Sequence, residues 1–239
     1  MFFVFRKWTI VYVFSMLVLI LGFALILQHG ESVQTSSDAV LCATMPVLIL
    51  DAGHGGEDGG AVSEDGTIES LINLSITVKI AELAELIGYE VQMTRDSDIS
   101  IHDADAKTLR EKKVSDLKNR VEFCNRFPKS ILISIHQNSL PSAPRVAGAH
   151  VFYNEQQGSL ELAIAVQSVL NEFINQGRHK EAKAIGSSSY LMKNVSCPAI
   201  LIECGFLSNT DETHALKTDE YQRKIAVTIL ASVLNYLQN

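Results

Sequence analysis

Apolar residues recur along the chain in three patterns, and each predicts a different element. The run Ile10–Leu27, IVYVFSMLVLILGFALIL, has no charge, and only Ser15 and Gly22 interrupt it. At 1.5 Å per residue it spans ~27 Å, close to the ~30 Å hydrocarbon core, and predicts one N-terminal transmembrane helix. Short apolar runs predict strands at Val47–Leu50, Tyr89–Thr94, Ile131–Ile135, Ala149–Tyr153, Tyr190–Met192 and Ala199–Cys204. Helical spacing of Leu71, Leu74, Val78 and Ala81 predicts a helix over Glu69–Leu86, stopped at Gly88. Further helices are expected near Leu109–Phe127, Leu160–Ile174 and Asp219–Leu237. Strands alternating with helices of this length predict one α/β domain with a mostly parallel sheet. The expected division is a membrane segment at 1–28, a polar tether at 29–45 and a single folded domain at 46–239.

Charge settles the sidedness and narrows the partners. Arg6 and Lys7 precede the apolar run, so the positive-inside rule keeps the N-terminus in the cytoplasm and exports the body. The residues after Leu27 (Gln28, His29, Gly30, Glu31) make a poor cleavage site, which favours an anchor over a cleaved signal. Under either reading the domain is extracytoplasmic, anchored in one case and secreted in the other. The whole chain holds 20 Lys+Arg against 27 Asp+Glu, a net charge of −7. Without Arg6 and Lys7 the exported part is more acidic still. It lacks the basic footprint of a nucleic-acid binder, and that function class is excluded as the leading one. Cys42, Cys124, Cys197 and Cys204 would permit disulfides in an exported protein. Cys124 in a helical stretch and Cys204 ending an apolar run are instead expected as buried thiols.

In open α/β sheets functional groups gather where strands end at their C-terminal edge. The first strand is followed by Asp51-Ala-Gly-His54-Gly-Gly, the third by His136-Gln-Asn138, and Glu203 lies near the end of ILIEC. Glu69 opens the first helix after the glycine loop. Two histidines and a carboxylate form a common catalytic zinc set with a fourth position left for water. Zinc brings the pKa of that water to about 7, and a carboxylate off the metal is then needed to move its proton. His54, Glu69 and His136 fit the ligand roles, and Glu203 fits the base. Each has a duller reading: a turn residue, an acid in a first helical turn, a satisfied strand-end histidine. A phosphate loop fails, because Gly53, Gly55 and Asp58 break G-x-G-x-x-G and no Gly-Lys-Ser/Thr follows. Glu203, between Ile202 and Cys204, is the hardest to dismiss, since a carboxylate there needs a compensating partner. His29, His102, His179 and His214 lie in polar or surface-like segments and are poorer ligands; His150 opens a strand and reads as a cross-strand neighbour.

DAGHGGEDGGAV, Glu69 with Asn73-Leu74, Met93-Thr-Arg95-Asp, Leu132-Ile-Ser-Ile-His136-Gln-Asn138 and Pro198-Ala-Ile-Leu-Ile-Glu203-Cys-Gly-Phe-Leu-Ser-Asn209 follow in that order. Together they resemble the zinc-dependent N-acetylmuramoyl-L-alanine amidases of the Amidase_3 family, over about residues 46–238. The stretches LREKKVSDLKNRVEFCN and YLMKN are similar to the sporulation and germination branch. The resemblance implies a six-stranded α/β sheet flanked by helices, zinc on His54, Glu69 and His136, and catalysis by Glu203. It implies peptidoglycan as substrate, cut between N-acetylmuramic acid and L-alanine, in spore cortex as a first step toward muramic-δ-lactam. Ala52 stands where the family commonly has proline, and only a short loop, Gln137–Ala147, follows His136. That short loop implies an open site or control by a separate exported protein. The competing readings are a zinc peptidase on the stem peptide and a catalytically dead wall-binding protein.

Overall fold

The apolar runs form the centre of a six-stranded sheet. The structure, a computed structural model, describes residues 45–186 and 189–238. The membrane segment expected at 1–28, and the tether at 29–45 apart from Met45, lie outside the described residues, as does Cys42. Among the described residues no helix is long and apolar enough to cross a membrane. In chain order the elements are β1 (Val47–Ala52), α1 (Glu69–Leu86), β2 (Val91–Met93), α2 (Leu109–Asn125), β3 (Ser130–Asn138) and β4 (His150–Tyr153). They continue with α3 (Ser159–Phe173), β5 (Lys183–Ala184), α4 (Tyr190–Asn194), β6 (Ala199–Phe206), α5 (Thr210–Leu216) and α6 (Asp219–Leu237).

The sheet order is β2-β1-β3-β6-β4-β5. The β1/β2, β1/β3, β3/β6 and β4/β5 pairs are parallel, whereas β4 runs antiparallel to β6. The sheet is therefore mixed, though mostly parallel as expected. Alternation along the strands divides the core. Leu48, Leu50, Ile133, Ile135, Ile200 and Ile202 pack in one cluster with α1, α3 and α6. Ile49, Leu132, Ala199 and Leu201 point the other way, onto Cys124 of α2 and Leu191 and Met192 of α4. Burying each such side chain stabilises the fold by about 1.5–3 kcal/mol, so the first, larger face holds the sheet together. The second face is covered by one long helix and one short one. That leaves room for polar groups where β1, β3 and β6 reach their C-terminal ends.

Local signals place the helix ends. Gly88 follows α1 at φ +87, a conformation glycine adopts without a Cβ penalty. Thr108 caps α2 reciprocally with Glu111, a capping box. Two expectations need correction. Tyr190–Met192 is not a strand but part of α4, because Leu191 and Met192 must both enter the core, and successive strand residues point to opposite faces. The outer edge of the sheet is instead Lys183–Ala184, both exposed and without apolar alternation. β3 also runs on through His136 to Asn138, so His136 is a paired strand residue and not the start of a loop. Cys124, Cys197 and Cys204 are buried free thiols, and burial pushes all three upward in pKa.

Candidate metal centre

Strand parity puts His136 of β3 and Glu203 of β6 side by side, and His150 of β4 faces Glu203 from the other flank. In-register partners point to the same side of a sheet, so these three residues form a row on the α2/α4 face. His54 enters from the loop after β1 and Glu69 from the first turn of α1. One potential ligand atom from each of His54, Glu69 and His136 lies within 4.8 Å of the others. His54 Nε2 is 3.3 Å and His136 Nδ1 is 3.1 Å from the same oxygen, Glu69 Oε1. The two imidazole rings meet edge to face, with centroids 5.0 Å apart.

The surrounding bonds fix these side chains. Asp58 Oδ2 lies 3.0 Å from His54 Nδ1, which leaves Nε2 to face Glu69. That is the outer-shell carboxylate usual behind a metal-binding histidine. Glu69 Oε1 accepts from the Gln137 backbone N–H and Asn73 Nδ2, and Oε2 accepts from the Ala61 N–H. His54 adopts φ +63, a strained value for a residue with a Cβ. Its carbonyl accepts from Arg120 Nη2 at 2.7 Å, while Arg95 donates to the carbonyls of Ala52, Gly53 and Ser70. Two buried arginines thus set the path of the loop that carries the first histidine.

Glycine is required where the loop passes the second histidine. A Cβ at Gly53 would sit 2.2 Å from His136 Cε1 and 2.3 Å from Nε2. At Gly60 it would sit 2.5 Å from Glu69 Oε2. Gly53→Ala is therefore expected to displace the His136 ring and lower metal affinity about 10–100-fold, while circular dichroism stays native. A metal titration of the variant checks this.

Electrostatics show what the site can accept. Burial opposes a charge on His54, but Asp58 and Glu69 outweigh it and push the imidazole up to about 9. Burial raises Glu69, yet hydrogen bonds from His136 and His54 hold it well below the usual carboxylate range. The His54 hydrogen bond, more than any other contact, does the same for Asp58. The two ionised carboxylates make a site that stabilises positive charge, and a bound cation would take the place of the imidazole proton, since histidine ligates only when neutral. Together with the nitrogen and oxygen donor set, this fits zinc. Glu203 behaves differently. Its Oε2 is buried and has no hydrogen-bond partner, and burial raises the carboxyl to about 7 despite the opposing pull of His136.

The sequence does not point to the roles of Asp51, Asp58 and Arg120. Asp51 accepts from Thr94, Ser134 and Arg120 under the site, and Arg120 is 2% exposed. The one available signal was spacing, because Asp116, Arg120 and Cys124 are the buried stripe of an otherwise solvated helix. His150 is, as expected, a cross-strand neighbour, and the strand it faces carries Glu203.

Comparison with known proteins adds a family to this geometry. Residues 48–235 match the family Amidase_3, N-acetylmuramoyl-L-alanine amidase. Over 221 residues the chain is 31% identical to the germination-specific N-acetylmuramoyl-L-alanine amidase of Bacillus subtilis, covering 91% of this chain and 92% of that protein. It resembles the CwlD amidase of Clostridioides difficile, solved in complex with the GerS lipoprotein, with a TM-score of 0.77 and 39% identity over 81% of this chain and 98% of that one. An N-acetylmuramoyl-L-alanine amidase of Clostridium difficile 630 superposes with a TM-score of 0.70 at 29% identity, over 82% of this chain and 98% of that one.

Proposed function

The chain belongs to the Amidase_3 family of N-acetylmuramoyl-L-alanine amidases, and on that premise we propose that it is a zinc enzyme acting on spore-cortex peptidoglycan. Its reaction is hydrolysis of the amide between N-acetylmuramic acid and L-alanine. The observation that carries the zinc reading is the convergence of His54, Glu69 and His136 within 4.8 Å, beside Glu203, whose buried Oε2 has no hydrogen-bond partner. Zinc bound there would polarise the amide carbonyl and bring a water pKa to about 7.

The chain's own groups supply the rest. Asp58 holds the tautomer of His54, and the Gln137 N–H and Asn73 aim Glu69. Glu203 takes the proton of the attacking water and delivers it to the departing alanine nitrogen. Burial raises this carboxyl above the ordinary carboxylate range, which suits a group that must both take and give a proton near neutral pH. Residues 1–28 anchor the domain outside the membrane and 29–45 tether it, leaving 46–239 as the catalytic domain. The germination-specific relative supports the cortex role, and the GerS complex of the CwlD relative supports an exported partner here too.

The test is product analysis. The purified chain, incubated with cortex peptidoglycan, is expected to release free stem peptides beginning with L-alanine. Chelation should abolish this and zinc should restore it. Fragments cut within the stem would overturn the amidase assignment in favour of a peptidase. Cleavage that survives chelation would overturn the zinc.

A further inference from the structure

Leu86, near the end of α1, is 82% exposed, the most of any large apolar side chain among the described residues, and its neighbour Ile87 is 52% exposed. Helix termination does not require them. The last turn of α1 closes as a Schellman motif, in which the Tyr89 N–H donates to the Ala84 carbonyl and the Gly88 N–H to that of Glu85. The apolar contact that accompanies such an end falls to Ala84 and Tyr89, and both pack in the larger core cluster. Leu86 and Ile87 are left facing solvent.

Their place in the fold singles them out. Leu48 of β1 lies opposite Val91 of the parallel β2, so the turn between α1 and β2 sits at the edge of the sheet where β1 begins. The described chain enters at that same edge. Tyr89 Oη is 3.9 Å from Met45 Sδ, and the N–H groups of Val47 and Leu48 donate to the carbonyls of Lys129 and Glu90. The uncharged run Ile10–Leu27 precedes Met45 in the chain. The turn between α2 and β3 adds the half-buried Phe127 and the exposed Arg126 and Lys129, and the exposed Glu85 and Glu90 balance those two cations. In a chain of net charge −7 this edge is therefore close to neutral. Exposed aliphatic side chains ringed by aromatic and Lys/Arg residues suit a surface that meets lipid headgroups.

We infer that this edge rests on the outer surface of the bilayer that holds the anchor, with Leu86 and Ile87 inserted at headgroup level. This rests on the N-terminal anchor proposed above. Attachment at the same edge keeps both side chains at high effective concentration near lipid, so a contact too weak to hold a free domain suffices. β1 spans its six residues at about 3.3 Å each, so the metal centre beyond its far end stands about 20 Å out and faces the wall.

The experiment uses the full chain in phosphatidylcholine vesicles, with and without bromine on the lipid acyl chains. Trp8 is the only tryptophan, so Trp8→Phe with Leu86→Trp carries a single fluorescent reporter at this edge. Trp8→Phe with Val62→Trp carries one in the loop between β1 and α1, at the edge of the metal centre, where Val62 is 58% exposed. Brominated lipid should quench the reporter at position 86, whose emission should also shift to shorter wavelength, and should leave the one at position 62 unchanged. Adding Ile87→Asp should relieve the quenching at position 86 while cleavage of a soluble muramyl peptide stays the same. Equal emission from position 86 in both kinds of vesicle, or equal quenching at positions 86 and 62, would overturn the docking and leave the anchor standing. Flotation of the vesicles tests the anchor itself: a chain that stays behind has none, and the docking falls with it.

Discussion

Glu203→Gln is expected to lower turnover by about 10²–10⁴-fold while the zinc content stays at the wild-type level. Glutamine keeps the shape and the register opposite His136 and His150, but it cannot accept the water proton. His54→Ala should lose both metal and turnover, so the pair of variants separates binding from chemistry. Wild-type rates should rise with pH on the acid side as the Glu203 carboxyl ionises, at a pH below its metal-free value near 7 because bound zinc would favour the ionised form, and the glutamine variant should lack that limb. The sign for stability is opposite. An acid whose folded pKa lies above its ordinary value destabilises the fold as pH rises past that ordinary value, with the full cost reached above the folded pKa. The metal-free glutamine variant should therefore melt at a higher temperature than metal-free wild type above pH 7, and at nearly the same temperature near pH 4. Such a trade of stability for function is common at active sites. Near-normal turnover in Glu203→Gln would remove it as the base.

The reason Glu203 is conspicuous in the sequence also explains what else could be read there. A carboxylate inside AILIEC violates the apolar pattern, and such violations mark either error or function. The central strands β1, β3 and β6 were legible because buried parallel strands are nearly continuous apolar runs, and α6 because its apolar residues keep helical spacing. α1 lies where expected, but its buried stripe is Ile72, Ile76, Ile80 and Ala84, while Leu71 of the expected stripe is exposed. α4 was misread since a three-residue apolar run carries no period, and β5 was missed since an exposed edge pair needs no apolar residue. The structure brings His54, Glu69 and His136 together, and strand-end reasoning had gathered the same groups. Register and handedness of side chains are tertiary facts, so the row His136–Glu203–His150 could not be read from spacing. Arg120 was hard to find for a related reason. In LREKKVSDLKNRVEFCN most charges are solvated, and only the i, i+4, i+8 spacing of Asp116, Arg120 and Cys124 marks the arginine that turns inward.

That inward arginine carries the largest expected effect on stability. Arg120→Met should destabilise the protein by about 3–5 kcal/mol, because removing one partner of a buried pair leaves the other charge without compensation. Asp51 is 1% exposed and keeps Thr94 and Ser134, but it loses its 2.6 Å contact to Nη1. Asp116 loses Nε at 2.7 Å. Burial alone would raise Asp51; the Arg120 guanidinium and the two hydroxyls instead bring it down to about 2. A carboxyl with a lowered folded pKa contributes stability above its ordinary value near 3.8 and loses it as pH falls toward 2. In the variant Asp51 should titrate higher, so acid unfolding should begin at a higher pH than in the wild type. The same substitution removes the donor to the His54 carbonyl, and His54 is the strained residue of the site. Zinc affinity should therefore fall even in the fraction that remains folded. The double variant Asp51→Asn/Arg120→Met separates the two effects, since it removes the uncompensated Asp51 charge but not the missing loop contact. It should recover much of the melting temperature and little of the zinc affinity, whereas recovery of both would show that Arg120 serves the charge of Asp51 and not the loop.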